Sequence, residues 1–563
     1  MMKWWGWGEP ALQFPMQDKP NLWPWIAKKL GVTSATPTSL PVDLAKIDIP
    51  ASTVNEALLS EFRMILKAEQ VLLGSFDRLL HSYGKSFPDL LCVRNGVIRR
   101  APDAVLLPES HEQVEAIVKL AHLRNFCLIT FGGGTNIVGG INPDVDDTRL
   151  MITLSLRNMN RLISIDPESR IATIQAGALG PKLEKDLAEL GHSLGHFPDS
   201  FEYSTLGGWL ATRSAGMQSD AYGKIEDMVV SVKVVTPSGT IVTKPVPSSS
   251  AGPDLNRLMV GSEGTLGVIT EATMRIHKTP GTKDYRGFLF KNFEDGVHAM
   301  QACLDSGFVP SMVRLQDGDE SELAFNMKSP ATGVEGWIQR QVKRWLKSRG
   351  YIAPCILIIG FEGDEKSLAV TRRSALKLLK QHGGFALGKS VGLTWSKDKF
   401  NIPYLRDYIM DFDCMADVAE TSTLWSNVLP LYRATVAAMK ARFDQDDGTG
   451  FIGCHLSHTY KTGACLYFTF ASRQPKDKAL LHYYDYKRLI TDAITQHGGT
   501  VSHHHAIGIE HRPWMVQEIS PAGLQALHAL KASLDPKKIL NPGKLLPDQG
   551  ATISLEQAKI KTK

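Results

Sequence analysis

No stretch of this sequence reaches the roughly 18 consecutive apolar residues that a membrane-spanning helix needs. The start, Met1-Met2-Lys3-Trp4-Trp5, lacks the long apolar core of a signal peptide. An excess of one charge is missing too: 63 basic residues face 58 acidic ones, and a net +5 over 563 residues is no footprint for nucleic acid. Cysteine is sparse. The seven, odd in number and scattered from Cys92 to Cys465, fit reduced thiols better than a disulfide framework. No Gly-Lys-Ser/Thr follows a glycine run, which excludes a Walker loop, and Gly132-Gly133-Gly134 fails the spacing of the dinucleotide fingerprint. What is left is a chain of ordinary composition, 43% hydrophobic and 21% charged, and too long for one core at roughly 100 to 200 residues per domain. With no Ser-Lys-Leu ending, only Ile560-Lys561-Thr562-Lys563, the expectation is a cytoplasmic protein of several domains.

Four segments are expected. Residues 1–90 open with tryptophans at 4, 5, 7, 23 and 25, include a helix expected over Val54 to Leu73, and read as a helical N-terminal extension. Residues 91–279 alternate short strands and helices. Ser110 with Gln113 three residues later marks a helix start, and Cys127 to Phe131 is a buried strand running into Gly132-Gly133-Gly134-Thr135. Arg161 to Ala176 reads as a hairpin around Asp166-Pro167-Glu168-Ser169. In residues 280–500 a strand-then-helix unit recurs, ending once in Gln381-His382-Gly383-Gly384 and again in Gln496-His497-Gly498-Gly499, where glycine serves as C-cap. That repetition predicts an α+β domain with a mostly antiparallel sheet. Residues 501–563 form a C-terminal segment.

Three segments are glycine-rich: Phe131 to Gly140, Phe197 to Ala215, and Gly261 to Ile269. Any one alone reads as a tight turn. Three in one domain read as backbone N–H groups gathered around a pyrophosphate. Phe131-Gly132-Gly133-Gly134-Thr135, then Pro198 to Gly208, then Gly261 to Thr270 together resemble the FAD-binding (PCMH-type) domain of the vanillyl-alcohol oxidase superfamily. The resemblance implies FAD as cofactor, held by Phe131, Gly132, Gly133, Gly134, Thr135 and Asn136 in the first loop. Asp199, Ser200, Ser204, Thr205, Gly207, Gly208, Thr212 and Ser214 would serve in the second, and Glu263, Gly264, Gly267, Val268 and Ile269 in the third. No histidine lies at 131–140, so a non-covalent flavin is expected, with His192 and His196 the remaining candidates for a tether. The implied fold is α+β: a two-part FAD domain plus an antiparallel cap domain.

Eight of the 17 histidines fall between His455 and His511, among them the run His503-His504-His505. Neighbours on a strand point to opposite faces, so three in a row cannot share one ion, although His503 and His505 could do so with His455 or His458. No metal is assigned. A proton-transfer cluster suits imidazoles, which titrate near neutral pH. A hydrogen-bonded turn remains the plain alternative. Tyr467, within Leu466-Tyr467-Phe468, would by default pack in a core, and Arg314 and Arg406 would by default be salt-bridge partners.

Within the superfamily the match narrows. The Lys3-Trp4-Trp5-Gly6-Trp7-Gly8 start, Asp199 to Met217, Tyr222 to Asp227, Gly463 to Phe468 and Ser502-His503-His504-His505 are similar to the alkyldihydroxyacetonephosphate synthase family. The resemblance implies Tyr467 as catalytic acid/base, with His503, His504, His505 and His196 as active-site histidines and Arg406 and Arg314 as ligands of a phosphorylated substrate. It implies a redox-neutral exchange of an acyl chain for a fatty alcohol, so that lipid substrates are the expected partners. The alternative is an FAD-linked 2-hydroxyacid dehydrogenase, which the ending Asp535 to Lys544 resembles. Against it, Ser457 to Tyr467 lacks the His-x-Gly-Asp-Gly-Asn-x-His metal motif of those enzymes. From Glu335 to Arg349, Trp337, Ile338, Val342, Trp345 and Leu346 share a helical face beside Arg340, Lys343, Arg344, Lys347 and Arg349, which suits either cap packing or peripheral contact with an anionic membrane. A homodimer is left open.

Overall fold

The computed structural model describes residues 2–34 and 36–547. The ending Ile560 to Lys563 lies outside them. On the FAD side, β1 (Val71–Leu72), β2 (Ala104–Leu106), β3 (Cys127–Phe131) and β4 (Met151–Ser155) make a sheet in the order β1-β2-β4-β3, with β2, β4 and β3 parallel. A second sheet is antiparallel. Its members are β5 (Leu162–Asp166), β6 (Ile171–Gln175), β8 (Val229–Thr236), β9 (Gly239–Val242) and β10 (Val268–Arg275), in the order β5-β6-β10-β8-β9. The short β7 (His192–Ser193) pairs with β11 (His277–Lys278), which closes this half just before Thr279. The expected hairpin is β5-β6, and the two sheets correspond to the two parts expected of an FAD domain.

The cap is one seven-stranded antiparallel sheet. Its strands are β12 (Thr282–Phe290), β13 (Met312–Gln316), β14 (Cys355–Gly363), β15 (Phe385–Gly388), β16 (Cys414–Leu424), β17 (Phe451–Thr459) and β18 (Gly463–Arg473), ordered β15-β12-β14-β13-β17-β18-β16. Period-2 alternation divides them into two faces. In β18, Ala464, Leu466, Phe468 and Phe470 enter a core with the helices Trp425–Asp446 and Ala479–Gln496. Tyr467, Thr469 and Ala471, on the other face, line a cavity toward the FAD half. The repeated strand-then-helix units are β14 with Glu365–Gln381 and β18 with Ala479–Gln496; Gly383 and Gly498 after them adopt φ 86° and 77°, the left-handed cap that favours glycine.

Two expectations change. The helix expected over Val54 to Leu73 is Glu56–Ile65, capped by the Asn55 side chain accepting from Leu58 N–H, and the rest becomes a 3₁₀ turn and β1. The backbone of Val71 and Leu72 is drawn off by pairing with Leu106 and Val105. Residues 1–90 also do not hold together as one unit. Leu58, Leu59 and Phe62 join the FAD-side core, Leu79, Phe87 and Leu90 the cap core, and Met2, Trp7, Phe14, Leu22, Ile26 and Leu30 pack on Tyr404, Leu405, Ile409 and Phe451. Each piece is too short to bury its apolar face alone, so each borrows a neighbour's core. At the other end Ile539 and Leu540 return to the FAD-side core, where Leu128 N–H donates to Ile539 O at 2.8 Å.

Candidate active site

A cavity of about 380 Å³ runs between the two halves. At one end stand the glycine segments. The backbone N–H groups of Gly133, Gly134, Thr135 and Asn136 meet no acceptor among the described residues, and all four residues line the cavity. Four unpaired amides side by side are a cradle for an anionic group. Their crowding is backbone against backbone: a Cβ on Gly133 would lie 1.6 Å from Tyr203 O. The second segment turns into the helix Leu206–Thr212, where Thr205 Oγ1 accepts from Gly208 N–H and Trp209 Nε1–H donates to Ser204 Oγ at 2.6 Å. All the residues expected to hold the cofactor line this cavity except Val268, which is fully buried in the sheet core. Glu263 lines it and also holds backbone. Its carboxylate accepts from Ile507 and Gly508 N–H, each at 2.8 Å, and so pins the segment after the histidine run.

Strand register builds the middle of the site. Tyr467 on β18 pairs directly with His455 on β17 and with Glu420 on β16, and His455 pairs with Gln316 on β13. Paired residues share a face, so these side chains form one row. His455 stacks on Tyr467, ring centroids 4.7 Å apart at 20°. His504 and His505 approach the same ring at 5.9 and 5.5 Å. The phenolic oxygen has no hydrogen-bond partner among the described residues, and burial, with Asp199 and Glu420 nearby, holds its pKa well above the usual value for a phenol. Tyr467 is therefore a neutral phenol facing the cavity.

Glu420 organises the histidine run. Its carboxylate accepts from Ser502 Oγ–H (2.6 Å) and from the N–H groups of His503 (2.5 Å), His504 (3.1 Å) and His505 (2.9 Å). Lys224 Nζ donates to His503 O at 2.6 Å from the other side. Glu420, Cys465, His503 and His504 lie close enough to surround a cation, but this hydrogen bonding already accounts for the carboxylate. Of the three histidines, His504 and His505 line the cavity. His503 stands behind, its Nε2 bonded to Tyr460 Oη at 2.5 Å. His196 is also off the wall: fully buried, it bonds Ser214 Oγ at 3.2 Å and packs on Trp209, and burial lowers its pKa to about 3. His192 lies off it as well, its Nδ1 facing Leu190 O.

Both arginines reach the cavity. Arg406, on the helix Ile402–Met410, donates through Nη1 to Lys85 O at 2.6 Å, while Nε and Nη2 are buried without a hydrogen-bond acceptor, Nη2 lying 3.8 Å from Asp407 Oδ1. Buried guanidinium donors in that state fit an anionic ligand. Arg314 on β13 ties Nη2 to Glu320 at 2.6 Å and leaves Nε without an acceptor. An apolar part of the wall comes partly from the N-terminus: Trp7, Trp25, Ile26 and Leu30 line the cavity with Leu405, Ile409 and Phe451. Asp407 holds that segment by accepting from Trp7 N–H at 2.5 Å. Sequence reasoning missed these wall residues, Glu320, Glu420 and the position of His455. Only the histidine density around His455 hinted at the last.

Comparison with known proteins agrees with this geometry. Residues 102–244 match the family model described as an FAD binding domain, and residues 279–545 that of the FAD linked oxidases, C-terminal domain. The chain is 42% identical to an alkyldihydroxyacetonephosphate synthase of Dictyostelium discoideum over 86% of this chain and 80% of that protein. It is 38% identical to one of Trypanosoma brucei brucei over 89% and 82%. A solved alkyldihydroxyacetonephosphate synthase structure superposes with a TM-score of 0.83 at 37% identity, covering 97% of this chain and 99% of the other. A cavity with a cradle of free amides, matched over nearly its whole length to such proteins, is the site of an FAD-dependent enzyme, and the chain belongs to the alkyldihydroxyacetonephosphate synthase family.

Proposed function

We propose that this enzyme exchanges the acyl chain of an acyl-dihydroxyacetone phosphate for a fatty alcohol and so forms an ether bond, with Tyr467 as the proton-transferring group. One observation carries the reading: an unpartnered phenol stands in a cavity lined both by free amides and by apolar side chains. The amides of Gly133 to Asn136 would hold the pyrophosphate of FAD. When bound, FAD supplies an electron sink that lets C1 of the substrate part with its acyl oxygen without net oxidation. Arg406 Nε and Nη2, with Arg314 Nε, would take the phosphate, and the wall of Trp7, Trp25, Ile26 and Leu30 would take an alkyl chain. Tyr467, as a phenol, can give a proton to a substrate oxygen. His504 and His505, whose pKa values burial lowers, stay neutral beside it.

The test offers the purified holoenzyme a long-chain acyl-dihydroxyacetone phosphate and a fatty alcohol with no electron acceptor. Ether product and free fatty acid should appear in equal amounts. Dye reduction by lactate or glycolate with no ether product would overturn the reading in favour of a 2-hydroxyacid dehydrogenase.

Lipid substrates raise the question of access. No helix among the described residues is long and apolar enough to cross a membrane. The helix Gly333–Ser348 nevertheless exposes Trp337 (57%), Ile338 (49%), Val342 (41%) and Trp345 (45%) beside its arginines and lysines, while Leu346 anchors it to the cap. A face of this kind fits an anionic lipid surface. Trp337→Glu combined with Ile338→Glu should weaken sedimentation with phosphatidylserine-containing vesicles by about tenfold or more, from lost insertion of two side chains. Unchanged sedimentation would remove this face from membrane contact.

A further inference from the structure

Burial suits Tyr467 to giving a proton, not to accepting one. A fatty alcohol that bonds to C1 must lose its hydroxyl proton, so the site needs a neutral acceptor near the same place. Four histidines line the cavity: His455, His458, His504 and His505. They differ in what holds Nδ1. In His458 it meets Ser219 Oγ and in His504 it meets His503 Nδ1. In both His504 and His505 it also lies 3.5 Å from Glu420, whose lone pairs already take other donors. Only in His455, among the described residues, does Nδ1 sit at hydrogen-bond distance from a carboxylate, 3.0 Å from each oxygen of Glu320.

Glu320 is built for this. It lies in the helix Gly318–Asn326, starting where Asp317 accepts from Glu320 N–H at 2.8 Å, and its side chain is buried. Arg314 Nη2 (2.6 Å) and Gln316 Nε2 (3.2 Å) donate to the same oxygen. Burial works to raise the pKa of Glu320, but His455 and Arg314 together hold it down to about 2. An ionised carboxylate cannot donate, so Nδ1 of His455 carries the hydrogen. The lone pair is then on Nε2, which meets no partner among the described residues, on a ring that stacks against Tyr467 and lines the cavity.

We infer that Glu320 and His455 form a second proton-handling pair of this enzyme, His455 Nε2 being a catalytic base for the incoming alcohol and Glu320 its positioning residue. This rests on the proposed exchange reaction. The bond from C1 to the acyl oxygen breaks and the acid leaves as carboxylate, the proton that Tyr467 lends to a substrate oxygen returning to the phenol within the cycle. The bond from C1 to the alcohol oxygen forms, and the hydroxyl proton passes to Nε2. The imidazolium, paired with Glu320, then yields that proton to solvent. No electrons are gained or lost overall. An oriented base of this type contributes about 10²- to 10⁴-fold.

The charged and titratable groups around His455 include Glu320 on its helix, Arg314 on β13, Tyr467 on β18, Asp199 in the second glycine segment and His458 on its own strand. Burial and Arg314 lower the pKa of His455, and Glu320 raises it. A base must be unprotonated, so activity falls as pH drops through that pKa. Glu320→Gln removes the raising influence and should move this acid limb to lower pH, with a lower plateau. A merely structural role for Glu320 would lower the plateau without moving the limb. His455→Asn, whose amide N–H can still meet Glu320 but which has nothing at Nε2, should keep FAD bound by its visible spectrum and lose about 10²-fold or more in kcat, with KM for the phosphorylated substrate little changed. If His455→Asn loses FAD, the acid limb of FAD-bound Glu320→Gln decides. An Asn variant within about threefold of the parent, or an unmoved limb, overturns the inference. A parent enzyme that makes no ether product fails the reaction assignment instead, so the two failures stay distinct.

Discussion

Tyr467→Phe should lower kcat by about 10²- to 10⁴-fold while FAD stays bound, the range expected for loss of a positioned acid/base group. The substitution removes one oxygen and leaves the ring, so the stack with His455 and the contacts with His504 and His505 survive. The hydroxyl has no protein partner among the described residues, so its removal strands no buried donor or acceptor. Stability should therefore be unchanged within about 0.5 kcal/mol, the scale of substitutions that create no cavity and orphan no polar group. The sign of the pH dependence follows from the raised pKa of Tyr467. A phenol with a pKa well above 10 carries its proton across the neutral range, so its donor role is present there and would be lost only in strong alkali. Turnover, visible flavin absorbance and thermal unfolding of the variant check all three statements. Turnover near that of the parent would take Tyr467 out of the mechanism.

Glu420→Gln should destabilise the cap and its histidine loop together. The carboxylate takes four donors from Ser502, His503, His504 and His505. An amide has one acceptor oxygen, and its NH₂ would face backbone N–H groups. At least one of the four then loses its acceptor in a buried site, and the charge that strengthened the others is gone. At about 1.5–3 kcal/mol for a hydrogen bond to a charged group, the loss is about 3 kcal/mol or more. The loop would release His504 and His505 from Tyr467, so kcat should fall with stability. Calorimetry should show a lowered unfolding transition, and limited proteolysis should cut faster near residues 502–508. A variant with unchanged transition and full turnover would show that the loop is held by Lys224 and Glu263 alone.

The FAD cradle was largely legible because its requirements are local. Glycine at 133 and 134 admits a backbone that no other residue would, and the amides of the loop have no other use. Tyr467 was not legible in this way: within the apolar run Leu466-Tyr467-Phe468 it reads as a core residue, and only the folded sheet puts it on the face opposite the cap core. Local pattern stops there. Val268, His196 and His503 sit in the right motifs but point into the core or behind a neighbour, which depends on what packs against them. The wall made by Trp7, Trp25, Ile26 and Leu30 required a chain end to fold back onto Tyr404 and Phe451.

Motif order in the sequence determined that this is a two-part FAD domain with an antiparallel cap, because turns, caps and strand periodicity act over a few residues. Tertiary structure alone decided which groups share the reacting face. Glu320, Glu420, His455 and Tyr467 come together only through strand register and a helix more than a hundred residues from β17, and a shift of one residue in register would turn His455 away from Tyr467.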